Sequence, residues 1–306
     1  MENNTLHFTS LAQALVSLYG EEIKILQTDR LSGGDINKSY GLTLSNKKHI
    51  FMKANSKDNV SFFKAESLSI NAIKKTNTIN TPNILCTGTD NGEDVGYSFL
   101  LMEYIENNPS NKNSAFWETF AYKLAQMHKA DTESFVSKGK FGFLEDNFIG
   151  YTKQINTPTH TWIDFFRDNR LIPQFKLAEK YFDDFMQKKI SKLLDKLDKI
   201  LVEPEKPSLL HGDLWSGNII ADSNFNPYLI DPAAYVGNLE AEIAMTELFG
   251  GFDKIFYDIY KRENLLTPEY EERRDLYNLY HLLNHLNMFG KTYFEPVQSI
   301  ISEYVD

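Results

Sequence analysis

The chain is poor in cysteine, in basic charge and in long apolar stretches, and each shortage removes a class of protein. One cysteine, Cys86, stands among 306 residues. A single thiol cannot close an intrachain disulfide, which fits a reducing compartment and predicts a cytoplasmic protein. Lys and Arg number 32 against 42 Asp and Glu, a formal net charge of −10. That balance argues against nucleic acid as a partner, because nucleic acid selects clustered cations. A local positive site can still hold a small anion on an acidic protein. No run approaches the ~18 apolar residues of a membrane span. Residues 1–10 have neither the basic patch nor the apolar stretch of a signal peptide. Internal repeats and low-complexity segments are also missing. What remains is the mixture of a globular protein, 42% hydrophobic and 24% charged, too apolar for a disordered chain. At ~100–200 residues per domain, the length fits one large domain or two lobes.

Patterning divides the chain. Residues 1–105 read as strands with one or two helices, and residues 106–306 as mainly helical. Helical spacing over 9–19 follows Thr9 or Ser10 as a cap. Two extended stretches, 23–31 and 38–44, flank Gly33-Gly34 as a hairpin, and a third strand spans 49–55. A helix over 58–75 is predicted next, with Asp58 as its cap and Phe62, Ala65, Leu68, Ala72 and Ile73 at helical spacing. Strands near 83–88 and 96–103 flank the turn TDNGED. The polar segment ENNPSNKNS after Ile105 marks the expected domain boundary. Beyond it, helices are predicted over 115–129, 176–202, 240–250, 254–263 and 270–290, interrupted by the short apolar runs NIIA and PYLID.

The strongest chemical signal is LLHGDLWSGNII at 209–220, followed by LIDPA at 229–233. Asn218 follows Asp213 by five positions, and Asp231 follows it by eighteen. Two carboxylates and an amide are hard oxygen donors of the kind magnesium takes when phosphate and water complete its shell. Phosphoryl transfer uses that set: one Asp orients and deprotonates an acceptor hydroxyl, while an Asn and a second Asp hold the metal. HGD stands where the general kinase pattern has HRD, and IDP where it has DFG. Lys53, in the strand FMKAN, and Glu66, on the following helix, fit a phosphate-binding lysine held by a helix glutamate. Singly, both would read as solvated charges. The turn around Gly33 and Gly34 can bring backbone N–H groups close to phosphate. Trp215, between Asp213 and Asn218, is placed to reach the acceptor, whereas Trp162 reads as packing.

Other motifs carry less. GGDINKS looks like a P-loop, but Asn37 stands where the second glycine belongs and the context is a hairpin. His281 and His285 have zinc-protease spacing, but Leu282 occupies the position of the glutamate base, so buried, hydrogen-bonded histidines are expected. Cys86 reads as inert core.

On these residues the chain resembles the fructosamine kinase (ketosamine-3-kinase) family, within the aminoglycoside-phosphotransferase-like and protein-kinase-like superfamily. LSGGDIN at 31–37, FGFLEDNFIG at 141–150, HGDLWSGN at 211–218, IDPAAYVGNLEAEIAMTELFGGF at 230–252 and LYHLLNHLNMFG at 279–290 carry the likeness. The resemblance implies an α+β, bilobal protein-kinase-like fold. Residues 1–105 would form a small antiparallel-sheet lobe, and residues 106–306 a larger, mainly helical lobe. It implies ATP and Mg2+ as cofactors, Asp213 as proton acceptor, Asn218 and Asp231 as metal ligands, and Lys53 with Glu66 as the phosphate-orienting pair. The backbone of Glu103, Tyr104 and Ile105, in the interlobe hinge, would bind adenine. The implied reaction moves the γ-phosphate of ATP to O3 of a ketosamine, free or on a glycated protein, in deglycation. Another small hydroxyl acceptor (a sugar, choline or an aminoglycoside) and a nucleotide-binding scaffold without turnover are the alternatives. Some family members carry a regulatory cysteine in the glycine loop. Here Asp35 lies in that loop, so a monomer or weak dimer without a disulfide link is expected. Glu242 stands where the family often has Asp.

Overall fold

The computed structural model describes residues 5–31, 36–92, 96–136, 140–263 and 265–305. Gly33, Gly34 and Asp35, the tip of the expected glycine loop, lie outside the described residues.

A two-residue strand, β1 (His7–Phe8), and helix α1 (Leu11–Tyr19) precede strands β2 (Ile25–Leu31), β3 (Lys38–Leu44) and β4 (His49–Ser56). Helix α2 (Val60–Lys75) and strands β5 (Ile84–Asp90) and β6 (Tyr97–Glu103) complete a six-stranded sheet in the order β1-β5-β6-β4-β3-β2. Every pairing is antiparallel except β1 with β5. The sheet is covered on both faces, and the two-residue period of a strand decides which side chain goes where. Met52, Ala54, Phe99 and Leu101 pack with Ala14 and Leu15 of α1. Phe51, Leu100 and Met102 pack with Phe63 and Ile70 of α2. Lys53 shares the parity of Phe51, so its side chain runs under α2. Glu66 lies between Phe63 and Ile70 on the helix face that meets the sheet.

After β6 the chain becomes helical, with small hairpins between the helices. The order is α3 (Ser114–Lys129), β7 (Asn147–Ile149), β8 (Thr152–Gln154), α4 (Trp162–Phe166), α5 (Ile172–Leu177), α6 (Asp184–Leu194) and α7 (Leu197–Ile200). Then come β9 (Ser208–Leu210), β10 (Ile219–Ala221), β11 (Pro227–Leu229), β12 (Tyr235–Gly237), α8 (Leu239–Leu248), α9 (Lys254–Arg262), α10 (Tyr270–Phe289) and α11 (Phe294–Val305). One core joins these elements. It contains Phe116 and Phe120 of α3, Trp162 and Phe165 of α4, and Tyr277 and Leu283 of α10. Among the described residues, no helix is long and apolar enough to cross a membrane.

The structure corrects several sequence expectations. The helix predicted over 176–202 is three pieces, α5, α6 and α7. Asp183 starts a new helix by accepting a hydrogen bond from Met186 N at 2.8 Å, and a side-chain cap outweighs continued periodicity. Asp58 is not the cap of α2. It lies in a 3₁₀ turn, Lys57–Asn59, and Asn59 takes the cap position. Helix α1 begins after Ser10, but its first amide, Leu11 N, donates to Asp90 on β5 at 2.7 Å. A distant carboxylate therefore does the capping. The β7–β8 hairpin, α4 and α11 were not anticipated as elements.

Candidate active site

Strand β4 and helix α2 bring Lys53 and Glu66 together at 2.6 Å. The same ammonium makes an ion pair with Asp231. Lys53 is buried. Burial works against its charge, but the carboxylates of Asp231 and Glu66 outweigh it and hold the ammonium above its ordinary range. Burial raises the Glu66 carboxyl, and Asp231 adds to that rise against the pull of Lys53. The fixed ammonium of a buried lysine is a ready partner for phosphate oxygens.

The 211–218 loop is held by a glycine that no residue with a side chain could replace. Gly212 has φ +83°, and a Cβ there would lie 2.1 Å from the Ala233 carbonyl oxygen. That approach lets Ala233 N donate to His211 O at 2.9 Å, so the HGD and IDPA segments run in contact. Asp213 follows at the cleft wall. Burial, then the nearby Asp231 carboxylate, pushes its carboxyl up to about 7, against the hydrogen bond from Asn218. Asn218 Nδ2 donates to Asp213 O at 2.7 Å and to its Oδ2 at 3.3 Å. A carboxyl near neutrality beside an open cleft has the affinity a general base needs.

A second tier of groups supports this loop. His211 Nε2 lies 2.8 Å from Ile230 O, tying the loop to the segment that carries Asp231. Glu242, on α8, accepts from Gly212 N at 2.8 Å and pairs with His128 Nε2 at 2.9 Å. His128 Nδ1 meets Tyr260 OH at 3.2 Å. Glu242 is buried, yet His128, His211 and the Gly212 N–H together overcome the cost of burial and hold its carboxyl below the ordinary value. The longer side chain of Glu242 thus spans from the loop backbone to α3. His128 gave no signal in the sequence, because a histidine on an amphipathic helix reads as core.

Lys53, Glu66, Asp213, Asn218 and Asp231 all line one cleft of about 1170 Å³, together with Glu103, Tyr104, Ile105 and Trp215. Glu103 N donates to Asn83 O at 2.9 Å, and its carboxylate accepts from Asn83 Nδ2 at 2.6 Å. Trp215 lies over Gly217, where a Cβ would meet the ring at 2.3 Å, and it keeps 38% of its surface exposed. The far wall, missed at sequence level, comes from α8, the residue just after it, and α10: Met245, Phe249, Asn284, His285 and Met288. His281 is buried, as expected, although its Nδ1 has no partner. His285 instead faces the cleft, with Nδ1 2.8 Å from His281 O. Cys86 is fully buried, and burial pushes its thiol up to about 12, which leaves it inert.

The donor set fits a magnesium ion. Asn218 spends its Nδ2 on Asp213, which leaves the amide oxygen for a cation. Asp231 sits in the left-handed region at φ +56° and lines the same cleft. Among the described residues, no group of three His, Cys, Asp or Glu could enclose a metal. Magnesium seldom needs one, since phosphate and water complete its shell.

Known proteins are similar to this chain over nearly its whole length. A sequence model described as fructosamine kinase matches residues 7–306. A chloroplastic protein-ribulosamine 3-kinase of Arabidopsis thaliana is 38% identical over 291 residues, covering 94% of this chain and 85% of that protein. The crystal structure of a Haemophilus somnus protein assigned as a fructosamine-3-kinase superimposes with a TM-score of 0.83 at 29% identity, covering 97% of each chain. A thermostable mutant of an aminoglycoside phosphotransferase, in ternary complex with AMP-PNP and hygromycin B, shares the fold at a TM-score of 0.62 and 16% identity, covering 97% of this chain and 98% of that one.

Proposed function

The chain belongs to the fructosamine kinase family, and from that premise we propose that it transfers the γ-phosphate of ATP to the O3 hydroxyl of a ketosamine. The observation that carries this reading is the meeting of Lys53 and Glu66 with Asp213, Asn218 and Asp231 in one cleft. In the transfer, the acceptor oxygen forms a bond to the γ-phosphorus, the bond to the β–γ bridging oxygen breaks, and ADP leaves.

Asp213 orients the acceptor hydroxyl and takes its proton. Lys53, held by Glu66, binds the phosphates. Asn218 and Asp231 would hold magnesium, which when bound supplies charge neutralisation at the phosphates. Glu103 N is committed to Asn83, so adenine would be read by the remaining backbone groups of Glu103, Tyr104 and Ile105. We place the lobe boundary after Ile105, with closure about residues 103–108 excluding water. Gly33 and Gly34 would bind phosphate through backbone N–H groups. Trp215 would form one face of the acceptor pocket. The single thiol supports a cytoplasmic setting.

The acceptor wall favours a ketosamine over an aminoglycoside. A polycation calls for carboxylates. The described residues that α8, Phe249 just after it, and α10 contribute to the cleft are Met245, Phe249, Asn284, His285, Met288 and Phe289, with no carboxylate among them.

The test is ATP consumption with and without a fructosyl-amine, with the phosphate position read by 31P–1H coupling. Turnover with the fructosyl-amine and coupling to H3 is the expected result. Turnover only with choline, a free sugar or an aminoglycoside would overturn the acceptor assignment. No turnover with any acceptor would favour a scaffold.

A further inference from the structure

A buried polar network grips the chain just beyond Asp231, and none of its five side chains lines the cleft. Asn147 Nδ2 donates to Ala234 O at 2.8 Å, and Gln154 Nε2 donates to Ala233 O at 2.9 Å. Both amides sit on the β7–β8 hairpin, and both are buried. Gln154 Nε2 also donates to Asn147 Oδ1 at 2.8 Å, and Asn156 Nδ2 to the same oxygen at 3.0 Å. The direction of every amide is then set from outside. Tyr280 OH donates to Gln154 Oε1 at 2.7 Å, so the Gln154 nitrogen must face Ala233. Arg170 Nη2 donates to Asn156 Oδ1 at 2.8 Å, so the Asn156 nitrogen must face Asn147.

Two features make this network more than core filling. Arg170 is fully buried, and its hydrogen bonds go to neutral oxygens: Ile155 O, Asn169 O and Asn156 Oδ1. Its guanidinium also lies against the Tyr235 and Phe165 rings, 4.0 and 4.5 Å from their centroids. The Asp146 carboxylate answers this charge only across space, without an ion pair, and a buried cation without a direct ion pair is costly. Next, Asp231 holds φ +56°. Aspartate reaches that conformation more readily than most non-glycine residues, yet it is uncommon, and here the chain on its C-terminal side is held in place. The clamped carbonyls lie two and three residues downstream, and Ala234 N is held as well, donating to Ser69 Oγ of α2 at 3.3 Å.

We propose that Gln154 and Asn147 are positioning residues for Asp231. Their amides clamp the carbonyls of Ala233 and Ala234, and Tyr280 and Arg170 set the direction of the clamp. The left-handed Asp231 backbone is thereby held so that its carboxylate faces the cation site. This rests on the reading of Asp231 as a magnesium ligand.

Gln154→Met removes both donated bonds at nearly constant volume, and Tyr280→Phe removes a single hydroxyl. Two readouts need no acceptor. The first is hydrogen exchange of residues 231–237 in metal-free protein. The second is the Mg2+ concentration that gives half-maximal tightening of AMP-PNP binding in calorimetry. Groups that orient a metal ligand typically change metal affinity by ~10–100-fold. The expected result is faster exchange centred on 231–237 and a Mg2+ midpoint raised about ten-fold, with metal-free AMP-PNP affinity near wild type and a melting temperature lowered by the lost buried hydrogen bonds. If Gln154→Met does not fold, Tyr280→Phe carries the same expectation at smaller size. An unchanged Mg2+ midpoint in a folded variant overturns the proposal. So does an equal loss of metal-free nucleotide affinity, which a general structural defect would give. If Mg2+ has no effect on wild-type AMP-PNP binding, the assignment of Asp231 falls, and the proposal with it. Normal Mg2+ dependence without phosphorylation of a fructosyl-amine would overturn only the acceptor reading.

Discussion

Lys53 and Asp231 form an ion pair although 178 positions separate them in the chain. The same ammonium holds Glu66, and Asp213 lies close enough to Asp231 for its carboxyl to be raised by it. One cation therefore answers three carboxylates. The imbalance makes the cleft a natural site for a divalent cation, which in turn lets anionic phosphate approach on a protein of net charge −10.

Replacing the cation tests this balance. Lys53→Met leaves Glu66 and Asp231 facing each other. Stability should fall at the low end of the ~3–5 kcal/mol of a broken buried pair, because the Asp231 side chain keeps 39% exposure. The Glu66 carboxyl is already raised. A raised carboxyl contributes stability below its unfolded value and loses it as pH rises through the folded value. The deficit should thus grow from pH 5 to pH 8 and shrink on adding Mg2+. Melting temperatures at both pH values decide it, and a variant as stable as wild type at pH 8 would refute the charge argument.

Asp213→Asn keeps shape and removes the base. Turnover with a fructosyl-amine should drop by at least ~10²–10⁴-fold, while calorimetric affinity for AMP-PNP stays close to wild type. Near-normal turnover would sink the assignment of Asp213.

Glu242, on α8 behind the HGD segment, supplies a separate pH test. Its folded carboxyl lies below the ordinary 4.5, so its stabilisation is complete above 4.5 and is lost as pH falls through the folded value. Glu242→Gln keeps the volume and loses the charge-assisted bonds to Gly212 N and His128. It should cost ~1.5–3 kcal/mol at pH 7, and the gap should close as pH drops below 4.5. Urea denaturation at a series of pH values measures the gap. A gap constant with pH would mean that Glu242 is not ionised in the fold.

Trp215→Ala should raise the acceptor KM about ten-fold, or ~1.4 kcal/mol, and leave the KM for ATP unchanged. The partly exposed ring lines the cleft and lies over Gly217. A rise in the ATP KM alone would move Trp215 to the nucleotide side.

Much of the site was legible before the fold. HGDLWSGN and IDP are local motifs whose spacing reports one loop and one short hairpin, so Asp213, Asn218 and Asp231 could be named directly. Lys53 and Glu66 were legible only beside the distal motif, because singly each reads as a solvated charge. The helix breaks were less legible, because periodicity extends through 176–202 until the Asp183 side chain caps a new start. The α1 cap was invisible, since Asp90 belongs to another element. The far wall of the cleft was hidden as well. His285 reads as core on an apolar helix, and only the placement of α10 turns it toward the cavity.

The sequence by itself determined the chemistry: which groups can accept a proton, hold a cation or bind phosphate, and the local turns that present them. Tertiary structure alone decided their balance and their fixation. It joined Lys53 to Asp231, raised the Asp213 carboxyl, linked Gly212 through Glu242 to His128, and laid the Asn147–Gln154–Arg170 network against the Asp231 segment. Local patterning sees only neighbours within a few positions. Burial, Coulomb interaction and hydrogen-bond direction depend on distances that the packed fold creates.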